Sequence, residues 1–167
     1  MPHIDEEADT LLVLYGVAVA KINPFQELVV CSPDTDILLL LIFFYKSLPT
    51  HTVFHTGRGS NLRDIDIGSA FGALGEEKSA AILGFHRFTG CDQTAPFYGK
   101  SKASCWKTFI CSSPVVFAAF HALGDDSDIL SGSVQDGLIQ FLLNLYCASR
   151  PKHIQSCLLY TSPSPRD

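Results

Sequence analysis

The segment Glu27-Leu28-Val29-Val30-Cys31-Ser32 runs directly into Ser32-Pro33-Asp34-Thr35-Asp36, and then into the longest apolar run of the chain, Ile37 to Phe44. The first stretch is short, apolar and β-branched, the pattern of a strand in a parallel sheet covered on both faces. The second combines an N-cap-type serine, a proline suited to the first helical position and acids suited to a first turn. It predicts a helix from about Pro33 to Tyr45. A strand, a tight turn and a helix in immediate succession point to an α/β chain. They also place Asp34 and Asp36 at the carboxyl edge of a sheet, where open parallel sheets bind ligands.

The remaining pattern agrees with that class. Apolar positions from Glu7 to Ala20 suit a mostly buried helix, ended by Asn23-Pro24. His51 to Thr56 reads as a second strand closed by Gly57-Arg58-Gly59-Ser60-Asn61, and Arg63 to Ile67 as a further short strand, with a helix following to Leu74 and Gly75. Helices are predicted for Glu76 to Phe88, about Lys102 to Ile110, Pro114 to Leu123 and Ser133 to Cys147. Residues 6–90 therefore form an α/β part and 91–150 a helical part of one domain spanning 1–156.

The last eleven residues, Cys157-Leu-Leu-Tyr-Thr-Ser-Pro-Ser-Pro-Arg-Asp167, look like one reading frame of a transposase-type sequencing adapter. They are set aside as a non-native tail, with the expectation that the natural chain continues past Ser156 and that both ends are artificial. Of 167 residues 47% are hydrophobic and 17% charged, a balance that excludes a disordered segment. The net charge of −5 does not by itself advertise a nucleic-acid partner, although a site for divalent ions must concentrate carboxylates. Cys31, Cys91, Cys105, Cys111 and Cys147 form no C-x-x-C pair and no zinc ladder, so they read as buried thiols of a reducing compartment, cytosol or nucleus. Ile37 to Phe44 is far short of the ~20 residues needed to span a bilayer, and no membrane partner is expected.

Two carboxylates one residue apart, Asp34 and Asp36, can both reach a hard divalent ion; they can equally serve the dipole of the helix they open. Glu7 and Asp9 carry the same two readings, a ligand pair on a helix or a solvated first turn. Asp92 is a single loop aspartate. Gly99-Lys100-Ser101-Lys102 precedes a helix, so its amides and lysines suit a phosphate or a plain solvated turn. Trp106 reads as core, and His86 and His121 as histidines of apolar helices. No G-x-S-x-G elbow supports serine chemistry at Ser60, Ser101 or Ser104.

Taken in order, Glu7-Ala8-Asp9, Ser32-Pro33-Asp34-Thr35-Asp36, and Thr89-Gly90-Cys91-Asp92 followed by Gly99-Lys100-Ser101-Lys102 resemble the acidic motifs of the flap-endonuclease-like (XPG/PIN-like) superfamily. In that family an E-A-E motif on a helix, a D-x-D motif after a strand and a G-C-D motif entering a helix-two-turn-helix element supply metal ligands. The match runs from Glu6 to about Phe109 and looks closest to members found in invertebrate genomes near mobile elements. Asp9 stands where the family has glutamate, one methylene shorter, and the hairpin turn lacks the full Gly-x-Gly pattern. No counterpart of the family's first half, with its own early aspartates, is present in this sequence.

The resemblance implies a PIN-like three-layer α/β domain with a short, mainly parallel sheet, followed by a mostly helical part with a helix-two-turn-helix-like element. It implies that Glu7, Asp9, Asp34, Asp36 and Asp92 hold two Mg2+ or Mn2+ ions roughly 4 Å apart, with Asp34 and Asp36 at the catalytic centre. It further implies that Gly99, Lys100, Ser101 and Lys102 hold a nucleic-acid backbone, DNA above all, with a monovalent cation such as K+ at that turn, and that no organic cofactor is needed. The expected function is metal-dependent, structure-specific phosphodiester hydrolysis, carried here as a fragment of the catalytic core. The alternative is a non-cleaving PIN-like module of a domesticated mobile element that binds nucleic acid or protein. A phosphatase-like α/β domain also places D-x-D at a strand end, but its lysine or serine helper motif is absent.

Overall fold

The computed structural model describes residues 8–90, 97–124 and 131–147. It is a mixed α/β chain, mostly helical, with seven α-helices and three strands among the described residues. Residue contacts divide it into two compact units, with the division between Leu83 and Gly84.

In the first unit, helix α1 (Ala8–Ile22) leads to strand β1 (Glu27–Cys31), helix α2 (Thr35–Phe43), strand β2 (His51–Thr56), strand β3 (Arg63–Asp66) and helix α3 (Ile67–Leu74). The helix-bearing crossover lets β1 and β2 pair in parallel, in register from Glu27 opposite His51 to Cys31 opposite His55. The connection from β2 to β3 is only six residues, 57–62, half the dozen or so that a parallel crossover requires. β3 accordingly returns antiparallel, Phe54 facing Ile65 and Thr56 facing Arg63. The sheet, in the order β1-β2-β3, is thus mixed rather than mainly parallel.

Strand alternation sorts the side chains. Leu28, Val30, Thr52 and Phe54 share one face, on which Val30, Thr52 and Phe54 are buried. Gly16 of α1 fits against Leu28 and Leu48, where a Cβ would lie 2.8 Å from the Leu48 side chain. Buried Thr52 satisfies its hydroxyl by donating to the Pro49 carbonyl at 2.6 Å. On the opposite face Glu27, Val29, Cys31 and His51 are exposed. The helix α2 buries Ile37, Leu41 and Ile42.

The helix α4 (Glu76–Thr89) runs across the division, and α5 (Lys102–Ile110), α6 (Pro114–Gly124) and α7 (Gly132–Cys147) complete the second unit. Rings from all four helices form its core. Phe85 stacks on Phe109 with centroids 4.5 Å apart and meets Trp106, Phe120 and Phe141 edge-on. This explains why the units divide inside α4: its last turns belong to the aromatic cluster. Close approach of α4 and α6 depends on Gly84, since a Cβ there would sit 1.8 Å from the Phe120 carbonyl oxygen. No helix among the described residues is long and apolar enough to cross a membrane.

Candidate nucleic-acid and metal site

The acidic turn is built by competition between two caps. Ser32 donates its backbone N–H to the His55 carbonyl at 3.1 Å, which keeps it in the β1–β2 ladder. Its hydroxyl accepts the Asp34 N–H at 3.0 Å, and Asp34 in turn accepts the Asp36 N–H at 2.9 Å as N-cap of α2. The helix therefore begins at Thr35, two residues later than the Ser32-Pro33 signal predicts, and Pro33 lies outside it. Asp34 is exposed and Asp36 half-buried at the carboxyl end of a parallel strand pair.

Asp9 lies in the first turn of α1, a helix that packs on α2, and is half-buried. Glu7 and Asp92 lie outside the described residues. Among the described residues no three His, Cys, Asp or Glu side chains come together as a metal-holding group. One lone pair of about four on the Asp34 carboxylate serves the helix cap, and carboxylate oxygens are of the type hard divalent ions take.

At the α5 N-terminus each residue of the Gly99–Lys102 segment has a local task. Gly99 is the third residue of a turn closed by the Lys100 N–H on the Phe97 carbonyl, with φ 69 in the left-handed region. Ser101 caps α5, its hydroxyl accepting the Ser104 N–H at 3.2 Å. The Lys102 ammonium donates to the carbonyls of Gly90 and His86 at the end of α4, where the helix dipole favours a cation. Lys100 lies 5.0 Å from the centroid of the Tyr146 ring.

A cleft of about 780 Å³ opens beside the acidic turn. Thr35 and Leu38 of α2 form one wall, Arg58, Leu62 and Arg63 the other, and the cross-strand pair Phe54 and Ile65 lies between them. Nothing in the local spacing marks the two arginines. The signal that could find Arg63 is register: Thr56 and Arg63 pair across β2 and β3, so both turn to the cleft, while the neighbouring pair His55 and Asp64, 2.6 Å apart, turns to the opposite face.

Among the described residues two titrations are displaced. Asp66, the N-cap of α3, is held below the ordinary aspartate value, first by the Ser69 backbone N–H it accepts at 2.6 Å and then by the Ser69 hydroxyl. Burial pushes the Cys105 thiol up, which leaves it a poor nucleophile. Because the folded Asp66 value is depressed, its stabilising effect is present above the unfolded value near 3.8 and is lost as pH falls through the lower folded value. Asp66→Asn retains a capping oxygen and removes the titration. The stability gap between wild type and this variant should hold from pH 6 down to about 4 and close below it; a gap that stays constant to pH 2 in urea titrations would contradict this cause.

Comparison with known proteins returns no matching family model, no matching curated protein and no matching solved structure.

Proposed function

We propose that this chain is part of a metal-dependent, structure-specific nuclease of the flap-endonuclease-like superfamily, hydrolysing phosphodiester bonds of DNA, or RNA, in the nucleus or cytoplasm. The observation that carries the reading is the placement of Asp34 as the N-cap of α2 and of Asp36 in its first turn, at the carboxyl end of a parallel strand pair. In this reading Glu7, Asp9 and Asp92 complete the carboxylate set, and the three-layer PIN-like arrangement surrounds it. Two Mg2+ or Mn2+ ions would supply an activated water and stabilise the departing oxygen. Asp34 and Asp36 hold and orient rather than attack. The Gly99–Lys102 turn, with K+ there, steadies the backbone of the nucleic acid without reading bases.

The use of an Asp34 oxygen as a helix cap favours a second reading, a non-cleaving module in which the acidic turn is structural. One experiment separates them. Labelled flap and single-stranded oligonucleotides are incubated with the chain and Mg2+, alongside Asp34→Ala, Asp34→Asn and Asp36→Asn. The nuclease reading expects chelator-sensitive cleavage, reduced by about a hundredfold or more in all three variants. Asp34→Asn should fold nearly as stably as wild type, because asparagine also caps, whereas Asp34→Ala should lose about 1 kcal/mol. Cleavage that survives both Asp34→Asn and Asp36→Asn defeats the enzyme.

A further inference from the structure

The cleft beside the acidic turn has a chemistry of its own. Among its described lining residues are two guanidinium groups, Arg58 and Arg63, and no carboxylate, in a chain whose net charge is −5. Both arginines are exposed, and neither belongs to an ion pair found among the described residues. Thr56 and Asn61 add short neutral hydrogen-bonding side chains next to them, and Leu62, 54% exposed, offers an apolar surface between Asn61 and Arg63. Guanidinium groups suit phosphate because they are planar, permanently charged and able to donate two parallel hydrogen bonds. Leucine and threonine at the same wall suit a sugar or base edge. A volume of about 780 Å³ is of a size to take a nucleotide or two.

We infer that this cleft is a binding site for the phosphate backbone of a single nucleic-acid strand, with Arg58 and Arg63 as its phosphate-binding residues. The strand lies along the β2–β3 loop and passes the turn that bears Asp34. The inference rests on the nuclease reading for its biological sense, and it can fail or stand separately.

The test is fluorescence anisotropy with an oligothymidylate in the presence of EDTA, so that no divalent ion contributes, across about 50 to 200 mM salt. The double variant Arg58→Ala/Arg63→Ala should weaken binding roughly 10- to 100-fold at low salt and lower the slope of log K against log salt by about 1.4, the value for two phosphate contacts on a single strand. Arg58→Lys/Arg63→Lys should keep the wild-type slope, which distinguishes charge from a damaged loop, and an unchanged thermal transition for each variant verifies the fold. A slope and affinity unaltered in the alanine double variant overturn the site, as does a duplex binding as tightly as the single strand. Binding that depends on both arginines, with cleavage that survives Asp34→Asn and Asp36→Asn, supports the cleft and sinks the nuclease; cleavage abolished by those substitutions with arginine-independent binding does the reverse.

Discussion

Replacing Phe85 with alanine is expected to remove about 3 to 5 kcal/mol of stability from the helical unit. Phe85 is 3% exposed and its ring touches one ring from each of α6 and α7 and two from α5. Truncation loses the transfer free energy of the ring and leaves a cavity that four rigid neighbours cannot fill by rotation. Each aromatic pair adds roughly 0.5 to 1.5 kcal/mol beyond its area, although these terms overlap and do not sum. Against a typical total stability of about 5 to 15 kcal/mol, this is a large fraction. Trp106, the single tryptophan, lies against Phe85 with centroids 5.7 Å apart, so its fluorescence in a urea titration reads this cluster directly. The midpoint should fall sharply with little change in the slope. Phe25→Ala, at a ring 76% exposed, should stay within about 0.5 kcal/mol of wild type. Equal effects of the two substitutions would mean that the ring cluster is not the core of the unit.

The elements of this fold were legible where local chemistry and packing agree. A continuous apolar strand, a capped turn and an apolar helix identify β1 and α2 because each signal is contained in a few neighbouring residues. The start of α2 illustrates what such signals leave open: Ser32 and Asp34 are both good caps, and the choice falls to Asp34 because the Ser32 N–H is committed to His55 on another strand. The direction of β3 lies in the six-residue connection 57–62, whose length forbids a crossover, rather than in the composition of the strand itself. Asp34 and Asp36 could be singled out from their place after a strand. Arg63 could not, because the face it takes follows from the pairing of β2 with β3, and Arg58 could not, because it lies in the loop between the two strands. Side chains distant in sequence, such as Asp9 and Asp36, carry no local record of whether they meet.

Gly57→Ala is expected to destabilise the β2–β3 loop by about 2 kcal/mol or more and to reproduce the binding loss of the double arginine variant. Gly57 adopts φ 103, a conformation that alanine avoids, and a Cβ there would lie 2.1 Å from the Asn61 carbonyl oxygen. The neighbour is backbone, so no side-chain rotation relieves the clash. Relief requires the loop to open, which breaks the turn bonds from the Asn61 N–H to Arg58 and from the Leu62 N–H to Gly59. Those bonds fix the chain on which Arg58 is carried toward Arg63. Gly59 is the internal control: its φ of 56 lies in the left-handed region, yet a Cβ there meets nothing within 4 Å. Gly59→Ala should therefore cost about 1 kcal/mol, and Gly59→Asn less, since asparagine tolerates that conformation. Trp106 fluorescence reads the aromatic cluster, so its transition should be little altered by either substitution while oligothymidylate affinity falls for Gly57→Ala alone. If Gly57→Ala binds oligothymidylate as Gly59→Ala does, the loop does not hold the arginines in place, and a phosphate site at this cleft loses its structural basis.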